Sequence, residues 1–174
     1  MGGKKPFIQK LQKVFDEGLY DPANEPDIAY PYLFSYFKGE EWRTQKLVSA
    51  LLDKHYTTRP DGIPGNDDTG TMSAWAVFSM MGFYPDCPGN PSYTLTAPRF
   101  DKVVISLNPD YCGGKESLVI TKSGAAPAEG GWQKITGMTL GGKKLSSYRV
   151  SHEALTRSGS LTFSCTPIPQ NTTN

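Results

Sequence analysis

Two adjacent carboxylates, Asp67 and Asp68, lie in the glycine-rich stretch "DGIPGNDDTGTMSAW" (61–75), directly before a run that is apolar almost all round. Carboxylates in that place can do two kinds of work. A side-chain oxygen at a helix start accepts from a free backbone amide, and Asp68 or Thr69 stands where such a cap belongs. An ionised carboxylate there can instead take a proton from water, which is the task of a general base. The dipole of the following helix favours negative charge at this end. Calcium ligation is a third use, but the EF-hand pattern is missing, because the twelfth position of a loop begun at Ile63 is Ala74 and not Glu.

A second carboxylate turn, "NEPDIAY" (24–30), also precedes a helical run. Two such turns on neighbouring helices would converge at one end of a helical bundle and build a cleft. Tyr30, Tyr32, Trp42 and Trp75 lie close enough in sequence to stack on sugar faces, although aromatics at helical spacing usually fill cores, and Tyr32 and Trp75 are expected to do so. His55 ends a helix, where a positive charge is favourable, and His152 sits among strands. Both are read as structural.

The elements around these residues change period halfway along the chain. In "KKPFIQKLQKVFDEG", Phe7, Ile8, Leu11, Val14 and Phe15 share a helical face that Gly18 stops. "DIAYPYLFSYFKG" reads as a short aromatic helix starting near Tyr30. "RTQKLVSALLDKHY" carries a stripe of Leu47, Val48, Leu51 and Leu52, and "TMSAWAVFSMMGFY" has almost no polar face and is expected to be buried on all sides. Beyond "YPDCPGNPSY" the period becomes two. "DKVVISL", "ESLVITKS", "WQKITGMTL", "SSYRVSH" and "GSLTFSC" alternate as strands, with a hairpin through Gly141-Gly142. Residues 1–90 therefore read as a helical segment and 91–174 as an antiparallel β region forming one layer of a sandwich, an α+β architecture.

At 174 residues the chain can bury a sizeable core, and its 37% hydrophobic and 11% aromatic content describes a folded protein. Eighteen basic against seventeen acidic residues, with no basic stretch, argue against nucleic acid as a partner. No uninterrupted apolar run reaches membrane-spanning length, and "MGGKKPFIQK" lacks the apolar core of a signal peptide. Cys87, Cys112 and Cys165 are too few and too scattered for a disulfide framework or a zinc site. The sequon at Asn171 carries no weight.

Longer stretches fix a resemblance. "NEPD…PYLF", "GEEWRTQKLV", "HYTTRPDGIPGNDDTGTMSAWAVFSMMGFYPDCPGNPSY" and "GGKKL…SHEAL…SGSLTF" resemble the C-terminal portion of glycoside hydrolase family 92, over about residues 4–166. That family consists of exo-acting, calcium-dependent α-mannosidases, often α-1,2-specific, that invert the anomeric centre. The resemblance implies the closing helices of an (α/α)6 catalytic barrel followed by β-structure. It also implies that the general acid lies outside this chain.

Carried over by position, the resemblance makes Asp68 the general base and Asp67 a supporting loop carboxylate whose side chain projects away from it. Glu25, Gly65 and Asn66 fall at substrate-binding positions, Asn66 standing where some relatives carry a second acid. Glu25 is also a candidate calcium ligand. Gly62, Gly65 and Gly70 would let the loop bend close to substrate. The implied partners are mannose-containing oligosaccharides and the remainder of a longer enzyme, secreted or periplasmic. Self-association of the isolated chain through its apolar helix is expected as well. Two other readings remain open on the residues alone: a non-catalytic carbohydrate-binding or structural module, and an (α/α)6 glycosidase with another sugar specificity.

Overall fold

The computed structural model describes residues 2–170, so the Asn171 sequon lies outside the described residues. Three α-helices come first: α1 (Lys4–Asp16), α2 (Glu41–His55) and α3 (Thr71–Met81). Between α1 and α2, where a short α-helix was expected, the chain makes two 3-10 turns, Glu25–Asp27 and Tyr30–Tyr36. Pro26 and Pro31 explain the difference. Each fixes φ near a helical value but removes an amide donor, so the segment closes short i→i+3 bonds such as Tyr32 N–H to Ala29 O (3.0 Å).

Among the described residues eight strands form two sheets. The smaller sheet joins β1 (Phe83–Tyr84), β2 (Ser92–Leu95) and β7 (Arg149–Ser151), all antiparallel. The larger has the order β3 (Lys102–Ser106), β4 (Ser117–Ser123), β8 (Ser160–Ile168), β5 (Trp132–Leu140), β6 (Lys143–Lys144). The hairpin through Gly141-Gly142 is present as the β5–β6 pair.

One ladder corrects the expectation of a wholly antiparallel sheet. β4 and β8 run parallel, with Val119 opposite Ser160 and Ser123 opposite Ser164. The cause is a short helix that strand periodicity concealed, α4 (His152–Ser158). Ser151 caps it by accepting from Ala154 N–H at 3.1 Å, and Gly159, at φ 72°, turns the chain out of it. β8 thereby enters between β4 and β5.

The two sheets share one core. Phe83, Leu95 and Val150 of the small sheet pack with Leu118, Ile120, Ile135, Met138, Leu161 and Phe163 of the large one, and Leu155 of α4 joins them. A second core gathers Ile28, Tyr32, Val48, Leu52, Met72, Trp75 and Tyr84 between the 3-10 turns, α2 and α3. Each fully buried side chain of this size contributes about 1.5–3 kcal/mol relative to exposure. Trp75 is buried as expected, donating its indole N–H to Ile28 O at 2.9 Å. α3 itself is not enclosed. Val77 is 54% exposed, Ser73 and Ala74 are exposed, and Phe78 is only half-buried. The three α-helices before the strands do not by themselves amount to an (α/α)6 barrel.

Two polar devices tie helices to strands. Gln45 of α2 is buried, and its Oε1 accepts from Ile135 N–H at 2.8 Å, beside the bulge between Ile135 and Gly137 in β5. Asp86, whose side chain is wholly buried, follows β1 and accepts from Thr94 Oγ1 at 2.8 Å and from Arg149 at 3.3 and 3.4 Å. The Arg149 guanidinium also donates to Ser92 Oγ at 2.9 Å and lies 4.3 Å over the Tyr36 ring. Asp86 and Arg149 thus join the strand core to the second 3-10 turn.

Candidate active site

The segment from Gly62 to Thr71 makes a tight turn into α3. Asp68 and Thr69 both adopt left-handed backbone, at φ 47° and 60°, followed by Gly70 at 92°. A left-handed non-glycine residue costs roughly 1–2 kcal/mol, and Asp tolerates the region better than most. Hydrogen bonds hold the turn against that cost. Asp67 O accepts from Gly70 N–H and Met72 N–H, both at 3.1 Å, and Asp68 O accepts from Thr71 N–H at 3.2 Å.

The cap is a correction to the sequence reading. Gly70 occupies the cap position and makes no side-chain bond, and neither Asp68 nor Thr69 caps the helix. Asp67 does so from one residue further back, its Oδ1 accepting from Ser73 N–H at 2.8 Å. The two left-handed residues carry the chain round so that the Asp67 carboxylate folds over the first turn of α3. Asp68 is exposed, and its carboxylate has no hydrogen-bond partner among the described residues. One of the adjacent carboxylates is committed to structure and the other is free for chemistry. Asp67→Ala is expected to lower stability by about 1 kcal/mol, measured by denaturant unfolding, whereas Asp67→Asn, which keeps an acceptor, should lose less.

The two carboxylate turns meet. Glu25 Oε1 lies 3.5 Å from Thr71 Oγ1, at the first position of α3. A Cβ built on Gly65 would come within 2.9 Å of Ala23 Cβ, and Gly65 has φ 101°. The missing side chain therefore lets the 62–66 loop press against the 21–25 turn. Asn66 is exposed beside it. Glu25, Gly65, Asn66, Asp67 and Asp68 thus occupy adjoining turns at one end of α3. Thr71, the point of contact, was not singled out from the sequence, since a Thr after Asp-Thr-Gly has no signal of its own.

Beneath the turns Tyr32 and Trp75 lie in the core as expected, joined by Tyr56 and Tyr84, which sequence reasoning missed. Tyr56 stacks on Trp75 with centroids 5.4 Å apart, and Tyr84 stacks on Tyr32 at 4.8 Å. Tyr32 donates to or accepts from Ser79 Oγ at 2.6 Å, which places both firmly in the core. Burial, reinforced by Tyr84 and Asp67, pushes the Tyr56 phenol up to about 12. Burial together with Asp86 and Glu25 pushes Tyr84 up to about 12. Both phenols stay protonated at any ordinary pH. In the unfolded chain they titrate near 10, so between pH 10 and 12 the folded state holds protons that the unfolded state has lost. Stability is therefore full below pH 10 and falls as pH rises toward 12. Unfolding curves across that window should show the fall, and Tyr56→Phe should make it shallower.

The remaining sequence candidates lie elsewhere in role. Tyr30 and Trp42 are half-buried, the latter 6.3 Å from Trp132 with the Arg43 guanidinium 4.5 Å over its ring. His55 is the last residue of α2, held below the usual histidine pKa by burial and by Lys54. His152 Nδ1 is paired with Tyr93 Oη at 2.8 Å. A cleft of about 750 Å³ runs between α2 and the 97–101 and 124–131 loops, bridged by the Arg99–Asp53 ion pair, and it includes none of the carboxylates of the two turns. Its size alone gives it no chemistry.

Among the described residues no three His, Cys, Asp or Glu side chains are grouped as metal ligands. Nor is any helix among them long and apolar enough to cross a membrane.

The family model described as "Glycosyl hydrolase family 92 catalytic domain" matches residues 1–167. An uncharacterized secreted glycosidase of Arthroderma benhamiae is 29% identical over 161 residues, covering 92% of this chain and 20% of that protein. A family GH92 alpha-mannosidase from Bacteroides thetaiotaomicron superposes with a TM-score of 0.78 at 26% identity, over 95% of this chain and 22% of its own. A family GH92 inverting mannosidase from Bacteroides thetaiotaomicron VPI-5482 gives a TM-score of 0.72 at 33% identity, over 91% of this chain and 20% of its own. The chain therefore spans about a fifth of the length of these relatives.

Proposed function

The chain belongs to glycosyl hydrolase family 92, and from that membership we propose that it forms part of an exo-acting, inverting α-mannosidase that removes terminal mannose from oligosaccharides, with α-1,2 linkages as the substrate. The observation that carries the reading is the division of labour at the start of α3. Asp67 is spent on Ser73 N–H, while Asp68 stays exposed and unpaired beside the Glu25 turn.

In this reading Asp68 takes a proton from the water that attacks the anomeric carbon, on the face opposite the leaving group. A general acid from outside this chain protonates the glycosidic oxygen, and roughly 6.5–9.5 Å between the two carboxyl groups leaves room for that water. Glu25, Asn66 and the Gly65 backbone receive sugar hydroxyls. Calcium dependence is carried over from the family, with the Glu25 carboxylate as this chain's candidate ligand. The 1–90 segment supplies helices to an (α/α)6 barrel, and 91–174 supplies the β-structure behind it. A secreted or periplasmic location fits the same reading.

The test uses the full-length enzyme on α-1,2-mannobiose, with the product anomer followed by NMR from the first minutes. Release of β-mannose, mutarotating later to the α form, is the expected result. The 174 residues alone should show no turnover. Initial release of α-mannose would remove the inverting assignment, and absence of turnover by the full-length enzyme would favour a binding or structural role.

A further inference from the structure

We propose that Thr71 is a positioning residue for Asp68, holding its carboxylate in place by closing the turn that follows it. The proposal rests on the reading of Asp68 as the base. Asp68 O accepts two hydrogen bonds, and both come from Thr71: the backbone N–H at 3.2 Å and Oγ1–H at 2.8 Å. A carbonyl held from two directions cannot swing, so the 68–69 peptide plane is set. That closes the 68–71 turn and holds Asp68 in place against the first turn of α3.

The clamp matters because the backbone here has somewhere else to go. Asp68 and Thr69 are the only non-glycine residues with positive φ among those described, and both lie inside the span that Thr71 closes. A flip of the 68–69 peptide would take Thr69 out of the left-handed region, open the turn that Thr71 closes, and let Asp68 drift from the start of α3. Asp67 cannot prevent this, since its bonds to Gly70, Met72 and Ser73 anchor the residue before the flipping peptide. Thr71 Oγ1 also sits 3.5 Å from Glu25 Oε1. Its single proton is given to Asp68 O, the shorter contact, so the hydroxyl spaces the Glu25 turn from the Asp68 turn while clamping the latter.

Three variants of the full-length enzyme, assayed on α-1,2-mannobiose, test the assignment. Thr71→Val keeps the shape and drops the hydroxyl. It should lower kcat by about 10–100-fold, the scale of a small misplacement of a catalytic group, with KM within about twofold. Thr71→Ser, which restores the hydroxyl, should return kcat to within about threefold of the parent. Should Val disturb the fold, Thr71→Ala removes the same hydroxyl in a helix-favouring side chain.

The discriminating measurement is the double variant with Asp68→Asn. If Thr71 acts through Asp68, Thr71→Val costs nothing further once the base is gone. Parental kcat in both Thr71→Val and Thr71→Ala, alongside a crippled Asp68→Asn, would overturn the proposal and leave the base assignment standing. A full additional loss in the double variant would also overturn it, placing Thr71's effect elsewhere. Parental kcat in Asp68→Asn would sink the base reading itself, and this proposal with it.

Discussion

Asp68→Asn in the full-length enzyme is expected to lose about 10²–10⁴-fold in kcat, the usual worth of a positioned general base, with little change in stability. Both halves of that expectation come from the turn before α3. The Asp68 carboxylate has no hydrogen-bond partner among the described residues, so no structural bond is lost when one oxygen becomes an amide nitrogen. Asn is also among the residues that best accept the left-handed backbone observed there at φ 47°. What Asn cannot do is take a proton from water. Asp67→Asn should show the opposite balance, with a small rate effect and a small loss of stability. Rates on α-1,2-mannobiose and thermal unfolding of the two variants separate the roles. Near-parental turnover by Asp68→Asn would end the catalytic assignment.

Arg149→Ala is expected to destabilise the protein by about 3 kcal/mol, toward the low end of the cost of leaving a buried charge without its partner. The Asp86 side chain is wholly buried, and after the substitution only Thr94 Oγ1 would remain on it. Arg149 is itself a quarter exposed, which moderates the figure. The loss would also free Tyr36, over whose ring the guanidinium lies, and so loosen the second 3-10 turn from the strands. Denaturant unfolding checks the value. The double variant Asp86→Ala/Arg149→Ala should lose less than the two single variants summed, because the stranded charge is gone; strict additivity would show that the pair is not coupled.

The sequence made some parts of this molecule legible and hid others for identifiable reasons. Apolar periodicity located α1, α2 and α3, because each buries a stripe against a neighbour, and alternation located the strands of the large sheet. It overstated α3, since a helix with little polar surface can still leave Val77 in solvent. Prolines at 26 and 31 were visible, but whether such a segment closes i→i+3 or i→i+4 bonds is settled by packing. α4 was concealed by its neighbours, although Ser151 and Gly159 are a legible cap and stop. The parallel β4–β8 ladder was not legible at all, because strand partners are chosen by tertiary contacts between distant residues.

Within the candidate site, the residue types and their spacing singled out two turns, and the structure does set Glu25 beside the start of α3. Which of two adjacent carboxylates caps the helix was not readable. That depends on two consecutive left-handed residues at 68 and 69, a conformation that no propensity announces for Asp-Thr. Thr71, Tyr56 and Tyr84 escaped for a similar reason, as their importance lies in what they touch.

The place of β8 in the large sheet bears on how the molecule is made. This strand comes last in the chain among those described, yet it stands in the middle of the sheet, between β4 and β5. A ribosome working from the N-terminus therefore delivers the β3–β4 and β5–β6 hairpins before the strand that joins them exists. Each hairpin must wait with an unpaired inner edge, the kind of edge that invites misassociation in a nascent chain. The sheet cannot knit until residues 160–168 have emerged, and its longest-range pairings then close late and slowly.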